Sequence, residues 1–226
     1  MDPRHRDRIA FIRVVSGKFE RNMTAINTRT GKNIRLAYAS KLFGQERETV
    51  EEAYPGDVVG IVGNADLGIG DTVAEDSSIS FDEIPRFAPE CFSYAVNPTP
   101  SQYKPFRKGI RQLLQERVVQ RYELVDADRS SPLLGAVGPL QFEIVQSRLE
   151  SEYGASSRME SAPWTVTRWL HPDIDPDDLT LPRGANLATD EQEQLAILFP
   201  NDWSLRHFQK RNPDRKSTRL NSSHYS

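Results

Sequence analysis

The sequence is poor in the features that most readily assign a function. It holds one cysteine, Cys91, in 226 residues. A single thiol excludes an intrachain disulfide framework and suits a reducing compartment. No apolar run approaches the roughly 18 residues needed to cross a bilayer. The opening Met1-Asp2-Pro3-Arg4-His5-Arg6 is polar, unlike the start of a signal peptide. A cytoplasmic protein with no membrane partner is the expectation. Charge of one sign is not in excess: 29 Lys and Arg stand against 32 Asp and Glu, a net −3. The molecule as a whole is therefore not a basic nucleic-acid binder.

Motifs of catalysis are scarce as well. A phosphate-cradling P-loop needs G-x-x-x-x-G-K-[ST]. Gly31-Lys32 is followed by Asn33, and no glycine precedes it at the required spacing. No Asn-Lys-x-Asp guanine-reading motif occurs. Asp57-Val58-Val59-Gly60 fits a D-x-x-G pattern, but four residues inside a strand-turn are better read as structure. GTP binding or hydrolysis is not expected of this chain, which is read as no enzyme by itself. His5, His171, His207 and His224 are scattered and form no zinc-ligand spacing. No G-x-S-x-G elbow offers a serine nucleophile. Asp173, Asp175 and Asp177 alternate as in a calcium loop, but Asp178 stands where the glycine belongs and Gly184 where the bidentate glutamate belongs. Asp175-Pro176 instead suits a helix N-cap and first position. No catalytic, cofactor-binding or metal-ligating residue is assigned. Cys91, beside Phe92, reads as a small buried hydrophobe.

What is present is a change of period along the chain. Residues 1–84 read as a β domain. Ile9, Phe11 and Val15 alternate with Ala10, Ile12 and Val14, which predicts a strand buried on both faces. Thr24–Asn27 and Asn33–Ala37 flank a Gly-containing turn and predict a hairpin. Tyr54-Pro55-Gly56-Asp57 is a strong turn before the buried strand Val58–Val62, and Gly68–Val73 is another. Short strands spaced by Gly and Asp turns argue for a small closed barrel. Residues 85–90 carry two prolines and read as a linker.

Residues 91–215 switch to mixed structure. Phe92–Val96 predicts a strand and Ser101–Arg117 a helix, with Phe106, Ile110, Leu113, Leu114 and Arg117 along one stripe. Val118–Val125 and Leu133–Val137 read as strands. Leu140–Tyr153 reads as a second helix that presents Leu140, Ile144, Val145, Leu149 and Tyr153, and Gly154 suits its left-handed end. Trp164–Leu170 closes a β-α-β-β-α-β order, that of a ferredoxin-like two-layer sandwich. Within that strand Trp164 and Trp169 should face opposite ways, at least one in the core and the other available as a contact. Leu195–Phe199 and Trp203–Arg211 suggest a further strand and a short helix. The turn Gly135-Ala136-Val137-Gly138-Pro139 precedes a helix N-terminus, where a phosphate could sit, yet turn and first-position chemistry account for it without a ligand. Residues 216–226 hold four serines and almost no apolar side chain; they are expected to be disordered and resemble translated sequencing adapter.

One local charge imbalance stands out. Arg4, Arg6, Arg8, Arg13, Lys18 and Arg21 face only Asp2, Asp7 and Glu20 nearby in sequence. Basic residues are ordinary on a solvated strand edge; a phosphate-facing patch is the alternative.

Particular blocks go further. Met1–Phe11 with Ser16-Gly17-Lys18-Phe19-Glu20-Arg21, then Glu46–Asp57, then Ile84-Pro85-Arg86-Phe87-Ala88-Pro89-Glu90, and finally Gly135–Glu143 through Glu152-Tyr153-Gly154 together resemble bacterial class II peptide chain release factors. The blocks are long, lie in the family's order and cover residues 1 to about 214. The resemblance implies a translation-factor β-barrel followed by the ferredoxin-like domain, without the N-terminal GTPase domain that would hold GTP or GDP with Mg. It also implies a soluble, monomeric, ribosome-binding part of a factor that promotes departure of class I release factors. The barrel would face small-subunit ribosomal RNA and the second domain small-subunit protein. Arg4, Arg6, Arg8 and Arg13 are the candidate ribosome or interdomain contacts. An elongation-factor-G-like or ribosome-protection factor is the rival in the same superfamily, and an enzyme using the Gly135–Pro139 turn for phosphate is the rival from another class.

Overall fold

The computed structural model describes residues 9–212 apart from 38, 44–45, 63–66, 82–83, 85–86 and 128. The chain divides into two compact units, Met1–Ile84 and Pro85–Ser226.

The first unit is built of short strands: β1 (Ile9–Arg13), β2 (Phe19–Glu20), β3 (Thr24–Asn27), β4 (Lys32–Arg35), β5 (Ala39–Phe43), β6 (Glu46–Thr49), β7 (Glu52–Ala53), β8 (Val58–Val62) and β9 (Val73–Ala74). They form three antiparallel sheets, ordered β1-β8-β5-β6, β2-β7 and β4-β3-β9. Backbone bonds run between the strands at the sheet ends: Val14 N to Asp57 O at 2.9 Å, Arg21 N to Glu51 O at 2.8 Å and Leu36 N to Met23 O at 2.9 Å. One core lies within, made of Val14, Phe19, Ala25, Ile34, Leu36, Val50, Ala53, Val59 and Ile61. The expected double burial of β1 does not hold. β1 is the outer strand of its sheet, and a barrel strand has one inner face. Ile12 packs inward on the core, while Phe11 is 59% exposed. Asp57, of the D-x-x-G pattern, accepts a bond from Tyr54 N at 3.0 Å within its turn, which is a structural task.

The second unit carries β10 (Cys91–Val96), α1 (Tyr103–Gln115), β11 (Gln120–Leu124), β12 (Leu133–Ala136), α2 (Leu140–Tyr153), β13 (Arg158–Ala162), β14 (Val166–Trp169), β15 (Asn186–Asp190), β16 (Leu195–Phe199) and α3 (Asp202–Arg211). One antiparallel sheet runs β13-β10-β12-β11-β15-β16-β14. Its first four strands with α1 and α2 are the ferredoxin-like sandwich; the last three extend it beyond β11. The strand that closes the sandwich is β13, which pairs with β10 from Phe92↔Ala162 to Val96↔Arg158. The aromatic run at β14 lies instead at the opposite edge, beside β16. β13 reads weakly in sequence because an edge strand tolerates charge, here Arg158 and Glu160.

The two sheet faces have different cores. On the helical face, Ala95, Leu134 and Ala136 meet Phe106, Ile110 and Leu113 of α1 and Phe142, Val145 and Leu149 of α2. The register carries that face along the extension, where Ile197 and Phe199 meet Leu205 and Phe208 of α3. The other face is aromatic: Phe92, Tyr122, Trp164 and Trp169 with Ala188, Ala196 and Leu198. The sheet curls round it as a half-barrel, so that buried Thr167 of β14 donates from its hydroxyl to Pro89 O at 3.3 Å, next to β10. Trp164 and Trp169 are both buried in this core, contrary to the expected inward and outward pair. Trp164 precedes β14, so strand alternation does not govern it, and the indoles donate to Gly184 O at 3.0 Å and Asp190 Oδ2 at 2.9 Å.

Gly135 belongs to the same core. A Cβ there would lie 2.8 Å from Pro89 Cγ and 2.9 Å from Tyr122 Cε2. The glycine is present because ring atoms approach its backbone. Cys91 is half-buried against the helical-face core, its thiol donating to Ala136 O at 3.3 Å. Burial raises its pKa first, and Glu90 raises it further, so it is a poor nucleophile.

Candidate nucleic-acid interface

Among the described residues, a concentration of cations without acid partners lies on α1. Over Tyr103–Gln115 the sequence YKPFRKGIRQLLQ has no aspartate or glutamate. At 3.6 residues per turn, Phe106, Gly109, Ile110 and Leu113 form the buried side. Lys104, Arg107, Lys108 and Arg111 fall on the other side and are all exposed. None of the four pairs with an acid among the described residues. Gly109 brings this helix close to α2: an added Cβ would meet Leu149 Cδ2 at 2.5 Å and the Tyr153 ring at 3.0 Å. The helix end is tied down by Arg148 of α2, which bonds Glu116 and Glu152, each at 2.6 Å. Burial would raise the Glu116 carboxyl, but bonds from Arg148 and Gln112 outweigh it and hold it below its ordinary value. The basic face therefore rides on a fixed helix.

A cleft of about 520 Å³ opens beside it, lined by α1, β10, β11 and the loop before β12. Tyr103, Arg107 and Arg111 form one rim. The Arg129 guanidinium lies 3.8 Å from the centre of the Tyr94 ring on the other wall. The acid Glu123 in the cleft is ion-paired with Arg121. A second hollow of about 320 Å³ adjoins at Arg111 and Arg121 and is acidic, with Asp190, Glu191 and Glu193. The arrangement sets cationic side chains on the α1 side against Asp190, Glu191 and Glu193 on the other.

Of the residues singled out from sequence, Arg13 is exposed at the end of β1, opposite Val58. Arg4, Arg6 and Arg8 lie outside the described residues. The local charge imbalance is smaller than sequence neighbours suggest. Lys18 pairs with Glu52 at 2.6 Å and Glu20 at 3.0 Å, and Arg21 with Glu51 at 2.6 Å. β7 supplies Glu52, and Glu51 directly precedes it, so both acids come from a distant stretch of chain. The Lys18 ammonium is held well above its usual range, first by the Glu52 bond and then by Glu20. The α1 face was missed by attention to the N-terminal arginines, yet it carries a sequence signal: a predicted helix with cations at i, i+3, i+4 and i+7 and no acid.

The Gly31 and Gly138 turns serve local structure. Gly31-Lys32 lies where the β3–β4 hairpin turns into β4. At the start of α2 the amides that a phosphate would use are engaged: Val137 N and Gly138 N donate to Gln141 Oε1 at 2.8 and 3.2 Å, while Gln141 Nε2 donates to Val118 O at 2.7 Å. Among the described residues no group of three or more His, Cys, Asp or Glu is placed to hold a metal ion.

The two units are a small β-barrel and a sandwich with a basic helix face. Comparison gives the class, that of a translation factor: residues 1–76 match the family model of elongation factor G domain 2. Residues 81–209 match the model described as class II release factor RF3, C-terminal domain, and the chain belongs to the class II release factor RF3 family. It is 47% identical over 224 residues to peptide chain release factor 3 of Gloeobacter violaceus, covering 94% of this chain and 40% of that protein. It is 45% identical over 216 residues to the same-named protein of Synechococcus elongatus, covering 95% and 39%. The chain thus spans about 40% of the length of these curated relatives. A crystal structure of a protein from Thermus thermophilus superposes with a TM-score of 0.58 at 17% identity, over 80% of this chain and 28% of the other; it shares the fold.

Proposed function

We propose that this chain is the ribosome-engaging part of a translation-termination factor that promotes recycling of class I release factors, and that it neither binds nor hydrolyses GTP by itself. The observation that carries the proposal is the union, in one chain, of the elongation-factor barrel with the release-factor C-terminal domain. The matched models are elongation factor G domain 2 and the release-factor C-terminal domain, and the amides of the Gly138 turn are engaged internally. GTP or GDP with Mg would be held by a domain outside this sequence. The protein acts in the cytoplasm as a monomer, with small-subunit RNA and protein as its partners. No helix among the described residues is long and apolar enough to cross a membrane. The barrel, the linker and the sandwich occupy 1–84, 85–90 and 91–215; residues 216–226 lie outside the described residues. Arg4, Arg6, Arg8 and Arg13 are its contacts to phosphate or to a neighbouring domain.

Cosedimentation with purified ribosomes across a salt series tests this. Binding should weaken steeply with salt, because phosphate contacts release counterions. Reversing Arg4, Arg6, Arg8 and Arg13 to Glu should weaken it and flatten the salt dependence. Binding that ignores salt and survives the fourfold reversal would overturn the assignment of those arginines. A mant-GTP titration should give no saturable signal; saturation at micromolar nucleotide would overturn the claim about GTP.

A further inference from the structure

We infer that the outer face of α1 and the adjoining cleft form a binding site for single-stranded RNA, with phosphates along Lys104, Arg107, Lys108 and Arg111 and an unpaired base stacked on Tyr103. The inference names a partner chemistry for this face of the second domain, where the family resemblance points to protein, and it rests on the ribosome-binding proposal for its biological setting.

Three observations meet here. The four cations span about 10 Å of helix axis at 1.5 Å per residue, and none is spent on an acid among the described residues. Tyr103, 56% exposed, stands at the same rim with an open ring. An acidic segment of protein would satisfy the cations but leave that ring unused, whereas cations beside an exposed aromatic are the pairing that single-stranded nucleic acid uses. The third observation gives direction. Asp190, Glu191 and Glu193 border the hollow beyond Arg111, so a polyanion is excluded there and its path runs from Arg111 toward Tyr103. Arg129 is not free to join the phosphate track, since it pairs with Glu160 and lies on Tyr94.

The test is fluorescence anisotropy of a labelled oligouridylate of about 12 nucleotides, within the site size of small single-strand binders, against the full chain. The wild type should bind, with log affinity falling by about 0.7 per phosphate contact for each unit of log salt. Changing Lys104, Arg107, Lys108 and Arg111 to Glu should weaken binding tenfold or more and flatten that slope. Tyr103→Leu should weaken it by roughly fivefold or more with the slope unchanged, and Tyr103→Phe should restore it, as stacking predicts. The tyrosine pair keeps the test decisive if the fourfold variant fails to fold. Equal binding by all variants overturns the site. Equal displacement by polyglutamate of the same length assigns the face to acidic protein and overturns the RNA claim. A wild type that pellets with ribosomes yet binds oligouridylate no better than its variants leaves the ribosome proposal standing and removes this one. Oligouridylate binding at α1 without ribosome binding does the reverse.

Discussion

Asp71 ties the β3–β4 turn to the loop before β9 and stabilises the barrel more at neutral pH than in acid. Its side chain is 5% exposed. It accepts from Arg29 Nε at 2.5 Å and Nη2 at 2.9 Å, from Asn27 Nδ2 at 2.8 Å and from Gly68 N at 2.8 Å. Burial alone would raise its pKa, but the bonds from Arg29, Gly68 and Asn27 together outweigh burial and hold it below the ordinary 3.8. A carboxylate depressed in the folded state contributes stability above its unfolded value and loses it as pH falls through the folded one. Asp71→Asn should therefore cost about 1–2 kcal/mol at pH 7, the charged hydrogen bonds being discounted for Arg29's half-exposed side chain. In urea melts of the barrel transition, that gap should close progressively below pH 4. A gap that stays constant from pH 7 to pH 3 would show that amide geometry, not ionisation, sets the cost.

Helix α2 sets sequence periodicity against packing. Apolar residues at Leu140, Ile144, Val145, Leu149 and Tyr153 suggest one inward stripe, but the structure buries Phe142, Val145 and Leu149. Leu140 is 63% and Ile144 41% exposed. The helix begins immediately after β12 and the 137–139 turn, and Gln141 reaches back to bond that turn. This fixes the helix rotation so that Phe142, not Leu140, points at the sheet. Leu149→Ala should cost about 2–5 kcal/mol, because it empties a fully buried site against Gly109 of α1. Ile144→Ala should cost under about 0.5 kcal/mol. Chemical denaturation of the two variants checks both, and comparable losses would mean that Ile144 is packed in solution. The same contrast explains what was legible. Strong turns, long helices and the β3–β4 hairpin were readable because local chemistry dictates them. β13 and β15 were not readable, since their identity depends on non-local pairing with β10 and with β11 and β16. The α1 cations were visible as a pattern, but their freedom from acids is a property of the folded surface. For Lys18 and Arg21, that same folded surface supplied partners from thirty and more residues away.

At the scale of the whole chain, the decisive feature is that each core cluster among the described residues lies within one unit. The barrel core draws on residues between Ile12 and Val73. The cores of the second unit draw on residues between Ala88 and Phe208. The second unit also has its own polar closures: Thr167 to Pro89, Trp164 to Gly184, Arg148 to Glu116 and Asn201 Oδ1 accepting from Ser204 N at the start of α3. A stretch of this size that carries its own core meets the requirement of an independent folding domain. A fragment of residues 85–212 should therefore unfold cooperatively on its own, with near-ultraviolet circular dichroism from buried Trp164 and Trp169 lost in a single urea transition. It should also retain the α1 face, because Gly109, Leu149 and Arg148, which fix that helix, all lie inside it. The expected result is the same oligouridylate affinity as the full chain within about threefold, since the α1 face and the side chains that fix it all lie inside the fragment. A fragment that folds but binds far more weakly would move the anion site toward the barrel arginines and away from α1. A fragment without a cooperative transition would show that the half-barrel needs the first unit to close.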